Sequence, residues 1–405
     1  MRNAELIPGH SVALLQGAQE LFPALVHAMD GAAHSVWFET YICDFTDSGA
    51  SIGEALERAA RRGVQVRLLV DGFGTGGLDT GWLERLRAAG VQYQGFAPLG
   101  PLGLLLPQRW RRLHRKLCVV DGAVLFCGGI NLLDDFYDPN YGRLEAPRFD
   151  FAVGVRGPIA AQANAAMQIT WWRMQAVSAA RSRHLGEARR DFFAARQAAR
   201  TKAAAPQERS GVRAALLLRD NLLHRAVIER AYLRAIAQAR EEIIIANAYF
   251  VPGRRLRRAL VHAARRGVRV RLLLQGRYEY FLQYHAARPV YGLLLKAGVE
   301  IHEYAPSFLH AKVAVIDAEG LHPWATVGSS NLDPLSLLLA REANVAVADA
   351  EFAQNLRKRL VDAMEHAGRQ IDSAAYAARP WRARVLDRLA FVLVRSALWL
   401  TGKTY

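Results

Sequence analysis

Short apolar segments alternate with amphipathic segments along most of the chain. The runs VWFETYI (36–42) and VRLLVD (66–71) are rich in β-branched and aromatic residues, which is typical of strands in a mainly parallel, buried sheet. Between them, ALERAARRG (55–63) ends in an Arg-Gly pair, which indicates a helix followed by a glycine cap. This alternation predicts an α/β fold.

The same order of segments occurs twice, so the chain is a tandem duplication. ERAARRGVQVRLLVD (57–71) returns as HAARRGVRVRLLLQ (262–275), and AAGVQYQGFAP (88–98) returns as KAGVEIHEYAP (296–306). The apolar segment before each copy carries a tyrosine. Because a repeat of this kind sets the whole fold, each half is predicted to run strand, helix, strand, helix, strand and hairpin.

Composition divides the chain into three predicted parts. A polar stretch at 200–211 contains proline and glycine and lacks apolar periodicity, so it is the predicted linker. It separates a first lobe, 1–200, from a second lobe, 201–378, which we expect a helix at 220–242 to open. The remainder, 379–405, is a predicted amphipathic tail.

The chain is strongly basic, with 53 lysines and arginines against 37 acidic residues and a net charge of +16. Such a surface attracts polyanions, and nucleic acid and an anionic membrane satisfy it equally well. Three cysteines without metal-ligand spacing argue against a disulfide framework and favour a reducing setting. No apolar stretch reaches the roughly 18 to 20 residues of a spanning helix, and no secretory signal is evident, so membrane contact is expected from the cytoplasmic side.

Each half contains one complete His-x-Lys-x4-Asp motif. On a strand, positions i and i+2 face the same way, so each histidine and its lysine can address one phosphate together. The aspartates fall at strand ends, where a turn contact or salt bridge is expected rather than contact with substrate. The six candidate catalytic residues of the two motifs are His114, Lys116, Asp121, His310, Lys312 and Asp317.

A glycine-rich turn that ends in asparagine follows each motif, as GGIN (128–131) and GSSN (328–331). Small residues there let donors approach an oxyanion closely. A neutral histidine can attack phosphorus and a protonated one can act as general acid, so the two histidines could divide these roles without a metal or other cofactor. The candidate phosphate-binding residues are Asn131, Asn331 and Ser329.

These repeated motifs resemble the phospholipase D superfamily, and from about Leu6 through Val347 the chain is most similar to the bacterial cardiolipin synthase B type. The resemblance implies two tandem α/β/α sandwich lobes with pseudo-two-fold symmetry, one shared active site, and phosphodiesterase motifs at 109–136 and 304–334. It also implies a covalent phosphatidyl-histidine. Acids downstream of each asparagine would orient the histidines, and these match Asp150 and Glu342.

The resemblance further implies a cardiolipin synthase that transfers a phosphatidyl group between phosphatidylglycerol molecules and releases glycerol. His114 would be the nucleophile and His310 the acid, with the reverse order left open. The expected partner is anionic phospholipid, bound by a monomer at the cytoplasmic side of a bacterial cell membrane, and no nucleic acid is expected. A phospholipase D-type hydrolase or a nuclease is the alternative, whereas two intact motifs disfavour a non-catalytic polyanion-binding protein.

Two segments combine apolar residues with arginines and could meet a membrane. The segment from 99 to 116 sets leucines beside a tryptophan and arginines, and its alternative is a buried loop. The segment 379–402 places apolar residues near helical spacing, and its alternative is a helix packed on the body of the protein. We expect the second segment to attach peripherally, since it is too charged to span.

Overall fold

The computed structural model describes residues 5–97, 112–181, 190–191, 193–194, 210–220, 224–277, 281–333 and 340–400. Two compact units are present: a first unit of Glu5–Asp134 and Ala152–Leu216, and a second unit that contains Asp135–Phe151 and Leu217–Tyr405. The units therefore differ from the two sequence halves, because 135–151 packs with the later part of the chain. Most of the predicted linker, 201–209, lies outside the described residues.

The first half of the chain begins with a strand and a helix that precede the repeat. The strands are β1 (Ile7–Gln16), β2 (Ser35–Thr40), β3 (Gln65–Asp71), β4 (Gln92–Phe96), β5 (Arg112–Leu113), β6 (Lys116–Val120), β7 (Val124–Gly128), β8 (Tyr137–Asp138), β9 (Gly142–Arg143) and β10 (Phe151–Arg156). The helices are α1 (Gly17–Asp30), α2 (Ala50–Arg61), α3 (Thr80–Ala89) and α4 (Pro158–Arg181), with a 3₁₀ turn at Asp47–Gly49.

The second half repeats this order. Its strands are β11 (Val212–Arg219), β12 (Glu242–Asn247), β13 (Arg269–Gln275), β14 (Glu300–Tyr304), β15 (Lys312–Ile316), β16 (Trp324–Gly328), β17 (Ala340–Ala348) and β18 (Gly368–Gln370). Its helices are α5 (Val227–Gln238), α6 (Arg254–Arg265), α7 (Phe281–Leu295), α8 (Ala350–His366), α9 (Ser373–Ala377) and α10 (Trp381–Leu400). The predicted duplication is thus confirmed for the main strands and helices, whereas among the described residues β5, β8 and β9 occur only in the first half and β18, α9 and α10 only in the second.

The first unit is a three-layered sandwich around one mixed sheet. Its strand order is β11-β1-β10-β7-β6-β2-β3-β4, with β2, β3 and β4 parallel and β6 antiparallel to β2. Phe38 packs into a core formed with α1, α2 and α3. The preceding residue on β2, Trp37, points to the other face of the sheet. Its ring meets that of Trp171 on α4 edge-on, with 6.1 Å between the ring centres. The alternation along β2 therefore buries both faces of the sheet.

The second unit has the corresponding sheet order, β18-β14-β13-β12-β15-β16-β17, with β12, β13 and β14 parallel. α8 packs against β12 and β14 to β17, and α6 packs against α5 and β13. Gly63 and Gly267 follow α2 and α6 with φ of 89° and 90°, which confirms the two predicted glycine caps. The helix predicted at 220–242 is shorter, because the chain turns extended at Ala239 before β12.

α10 is amphipathic in a way that leaves one apolar face uncovered. Its inner face packs on α7, where Asp387 accepts a hydrogen bond from His285 at 2.7 Å. Phe391 lies beneath Arg257 of α6, with 5.6 Å between guanidinium carbon and ring centre. The exposed apolar residues, called the α10 stripe below, are Trp381, Val385, Leu386, Leu389, Val392 and Leu393, each between 39% and 63% exposed.

Of the two segments that could meet a membrane, the structure describes mainly the C-terminal one. The leucine-rich segment falls on 99–111, outside the described residues, together with the start of the first motif's predicted span. For 379–402, one face of α10 packs on the protein and the opposite face is exposed. In the described part of the chain, no helix is both long and apolar enough to cross a bilayer.

Candidate active site

The first motif enters β6 from an extended segment of the first unit. Lys116 is 6% exposed, and its Nζ donates to the carbonyl oxygen of His114 at 3.0 Å. The ring centres of Tyr41 and His114 are 4.9 Å apart, and Lys116 Nζ lies 5.2 Å from the ring centre of Tyr41. A buried ammonium thus lies beside the histidine, where little water screens its charge. Tyr41 was not among the predicted site residues; its only signal was the tyrosine before each repeat.

The second motif has the same internal arrangement. Lys312 is fully buried and also donates to the carbonyl oxygen of its own histidine, His310. The His310 Nδ1 lies 2.6 Å from Oδ2 of Asp150, whose Oδ1 accepts from the backbone N–H of Phe151 at 2.8 Å. A carboxylate at Nδ1 favours the tautomer that donates from Nδ1 and carries its lone pair on Nε2.

The backbone explains how Asp150 reaches this histidine. Phe149 N–H donates to the Phe308 carbonyl at 3.0 Å, and His310 N–H donates to the Phe149 carbonyl at 2.9 Å. These two backbone hydrogen bonds hold Asp150 against His310. Asp150 was predicted to orient a histidine, and the structure brings it to His310; its effect on the reaction remains a prediction.

The carboxylates of the two motif aspartates both cap backbone groups at the far end of their strands. Asp121 accepts from the N–H groups of residues 33–35 at 2.7–2.8 Å, and Asp317 accepts from those of 240–242 at 2.8–2.9 Å. Both have left-handed backbones, with φ of 51° and 48°. Burial raises the pKa of Asp121, but the three hydrogen bonds outweigh it, and the pKa lies below its usual range. The structure therefore gives both aspartates the turn contacts expected at a strand end, and their catalytic part in the motif stays a prediction.

The structure places Ser329, which was predicted to contact phosphate, against a buried glutamate. Its side chain is fully buried, with Oγ donating to Glu342 Oε2 at 2.5 Å and accepting from the Ala343 N–H at 3.1 Å. The hydroxyl therefore holds a carboxylate in place, and its contact with a phosphate stays a prediction. Glu342 itself is 0% exposed, and its predicted role of orienting a histidine stays a prediction.

The two predicted phosphate-binding asparagines follow the glycine-rich turns after β7 and β16. Asn131 Oδ1 accepts from the Ile42 N–H at 3.3 Å, which ties this turn to the end of β2. Asn331 is 2% exposed, and its Oδ1 has no hydrogen-bond partner among the described residues. A buried amide with unused capacity is costly unless a ligand supplies the partner, which keeps Asn331 a good candidate.

The residue before each histidine is held by a side chain that sequence reasoning missed. Leu113 N–H donates to Asp71 Oδ2 at 2.7 Å, and Leu309 N–H donates to Gln275 Oε1 at 3.4 Å. Burial raises the pKa of Asp71, against the hydrogen bonds from backbone N–H groups. The available signal was positional, since VRLLVD and VRLLLQ end at these two residues.

A buried ion pair distinguishes the first motif from the second. Arg115 Nη2 lies 2.8 Å from Glu39 Oε2 and donates to Thr170 Oγ1 of α4 at 3.0 Å, with both charged side chains no more than 5% exposed. At the matching positions of the second unit stand Ala311 and Ala246. Across the described ranges, no three His, Cys, Asp or Glu side chains cluster as metal ligands would.

The two α/β units, each presenting a histidine and a buried lysine beside a glycine-rich turn, define a phospholipase D-like protein. The solved structure of phosphatidylserine synthase from Haemophilus influenzae Rd KW20 has the same fold, with a TM-score of 0.66 over 98% of this chain and 97% of that chain. Its sequence is 12% identical, so this likeness concerns the fold alone.

The chain belongs to the family described as "Cardiolipin synthase, PLD-like domain", which matches residues 25–142 and 232–364. Cardiolipin synthase B of Escherichia coli (strain K12) is 38% identical over 397 residues, covering 97% of this chain and 90% of that protein. Cardiolipin synthase B of Salmonella typhi is 36% identical over 403 residues, with the same coverage. The resemblance found in the motifs therefore extends over nearly the whole chain.

Proposed function

We propose that this phosphatidyltransferase is a cardiolipin synthase that joins two phosphatidylglycerol molecules and releases glycerol. The observation that carries the proposal is a complete His-x-Lys pair in each unit, with both lysines buried against their histidines. Relatives 36% and 38% identical that are named cardiolipin synthase B support the choice of substrate. Buried lysines suit a reaction whose charge develops on phosphoryl oxygens.

In the proposed first step, His114 attacks the phosphorus of the donor phosphatidylglycerol. A P–N bond forms, the P–O bond to glycerol breaks, and His310 gives its proton to the departing glycerol oxygen. The carboxylate of Asp150 at 2.6 Å supports this assignment of roles, because it stabilises a protonated His310. The product on the enzyme is a phosphatidyl-histidine.

In the proposed second step, a hydroxyl of a second phosphatidylglycerol attacks the same phosphorus. The new P–O bond forms, the P–N bond to His114 breaks, and the proton of the hydroxyl passes to His310. Cardiolipin is released and both histidines return to their starting states. Water in place of the second lipid would yield phosphatidic acid, so the acceptor must be bound and water kept away.

We further propose that the protein works on the cytoplasmic face of the membrane, docked through the α10 stripe. α10 contacts α6 through Phe391 and Arg257. The exposed arginines of α6 are Arg254, Arg255, Arg258 and Arg265, and Arg266 follows directly after the helix. In the usual arrangement of a peripheral helix, apolar residues enter the membrane–water interface while arginines contact anionic headgroups. The net charge of +16 has the sign that such a surface requires.

The test is to incubate the purified full-length protein with phosphatidylglycerol vesicles and to identify lipid products by mass spectrometry. Wild type and the control His322→Ala, an exposed histidine outside both His-x-Lys-x4-Asp motifs, should form cardiolipin and glycerol. His114→Ala and His310→Ala should form neither. Phosphatidic acid as the sole product would make the protein a hydrolase, and DNA cleavage without any lipid product would replace the proposal with a nuclease.

A further inference from the structure

A cleft of the second unit opens at the carboxyl ends of the parallel strands β12 and β13. It contains about 460 Å³ of open space. Carboxyl ends of parallel strands are where α/β sheets bind ligands. The polar and aromatic side chains that line it are Tyr249, Gln275, Arg277, Tyr284, Arg288 and Tyr291.

The cleft adjoins the second motif through Gln275. The Gln275 Oε1 accepts from the N–H of Arg277, in the cleft, at 3.3 Å and from the N–H of Leu309 at 3.4 Å. The guanidinium carbon of Arg277 lies 5.5 Å from the ring centre of Phe308, two residues before His310. A molecule bound to Arg277 would therefore lie close to the motif.

The two arginines of the cleft differ in how their charges are balanced. Arg288 is 8% exposed and forms an ion pair with Glu303 at 2.8 Å, so its charge is neutralised within the protein. Arg277 is partly exposed and, within the ranges that the structure describes, has no carboxylate partner. The cleft therefore offers one guanidinium available to an anion, in the planar form that suits phosphate.

The first unit carries the same kind of contact with its residue types exchanged. Arg112, two residues before His114, lies 4.8 Å from the ring centre of Phe73. In the repeat, Phe73 corresponds to Arg277, and Arg112 corresponds to Phe308. A guanidinium stacked on a ring thus flanks each motif, although it comes from a different strand segment in each unit.

We propose that the cleft binds the phosphate of the acceptor phospholipid, with Arg277 as its binding group. This inference rests on the proposed function. Joining two phosphatidylglycerols brings two monoanionic phosphates close together, and their repulsion must be offset. The motif lysines serve the phosphate that reacts, whereas the acceptor's phosphate needs a separate cation, which Arg277 supplies.

The experiment compares two acceptors competing for the same phosphatidyl-enzyme. Phosphatidylglycerol vesicles are supplied with ethanol. Its oxygen attacks the phosphorus of the phosphatidyl-histidine, the P–N bond to His114 breaks, and the ethanol proton passes to His310, which gives phosphatidylethanol. Ethanol has no phosphate, so it does not use the cleft. In Arg277→Ala we expect cardiolipin formation to fall about tenfold to hundredfold while phosphatidylethanol formation stays within about twofold of wild type. The matched control, Arg234→Ala on the exposed face of α5, should change neither product.

An equal loss of both products, or an unchanged ratio between them, would overturn the assignment of Arg277. Arg277→Gln keeps the size and polarity of the side chain, so its product ratio decides the matter if the alanine variant unfolds. Failure of the proposed function has a different signature, since wild type would then form no cardiolipin at all.

Discussion

Asp150 accepts a hydrogen bond from His310 at 2.6 Å, although the two residues are 160 positions apart and belong to different copies of the repeat. Asp150 follows the first motif, but residues 135–151 are part of the second unit. The carboxylate is 2% exposed, so the interaction is poorly screened by water. A motif of one copy is therefore completed by an acid from the other.

Replacing that acid should impair chemistry more than lipid binding. In Asp150→Asn the amide no longer stabilises a protonated His310 or selects its tautomer, and we expect kcat to fall about 10²-fold to 10⁴-fold with a small change in KM. Steady-state cardiolipin formation measures both. Asp362→Asn is the matched control, because Asp362 pairs with His366 at 3.1 Å on the exposed surface of α8. Similar kcat values for the two variants would contradict a positioning role for Asp150.

Charging the α10 stripe should release the protein from membranes. Leu389 and Val392 are 63% and 56% exposed, so Leu389→Glu with Val392→Glu should fold normally but lower partitioning onto phosphatidylglycerol vesicles by at least about tenfold. Co-sedimentation measures binding, and activity on phosphatidylglycerol in detergent micelles should persist. The control is Leu321→Glu, since Leu321 is 94% exposed and lies in the turn between β15 and β16. Equal binding of both variants would assign the membrane surface elsewhere.

Breaking the buried ion pair of the first motif from one side should destabilise the protein strongly. Arg115→Ala leaves Glu39 charged and buried, and we expect the free energy of unfolding to fall by about 3 to 5 kcal/mol. Arg115→Ala with Glu39→Ala copies the alanine pair of the second unit and should lose less. Denaturant unfolding measures both. Arg58→Ala, in an ion pair whose side chains are 46% and 41% exposed, should cost less than about 1 kcal/mol.

His10 should make stability depend on pH in the acidic range. Burial lowers the pKa of His10 below its ordinary value of 6.5, and its two ring nitrogens are engaged by the Val212 carbonyl and the Ile159 N–H. The unfolded chain takes up a proton near 6.5 while the folded chain does not, so stability is full above that pH and is lost as pH falls through the folded pKa. Thermal unfolding from about pH 7.5 down to about pH 5 should show a smaller decline in His10→Gln. A parallel decline in both proteins would exclude His10 as the cause.

Local patterns in the sequence were sufficient for the order of elements and for the two motifs. Apolar runs such as 66–71 predict strands because side-chain alternation and burial are local properties. The glycines after α2 and α6 were predicted from an Arg-Gly pair, since only a residue without Cβ adopts a left-handed backbone at low cost. The repeated His-x-Lys spacing identified both motifs, and in the structure each lysine at the start of its strand donates to the backbone carbonyl of the histidine two residues before it.

The partners of those side chains were decided only by tertiary structure. Spacing could not tell that Ser329 supports Glu342, or that Asp317 caps the start of β12, because hydrogen-bond partners depend on how strands from distant parts of the chain pair. The same holds for α10, whose helical spacing defines an apolar face but not whether that face is covered. Sequence by itself determined which residues could do chemistry; the packing of the sheets decided which atoms meet, because a hydrogen bond requires its two partners within about 3 Å whatever their separation in sequence.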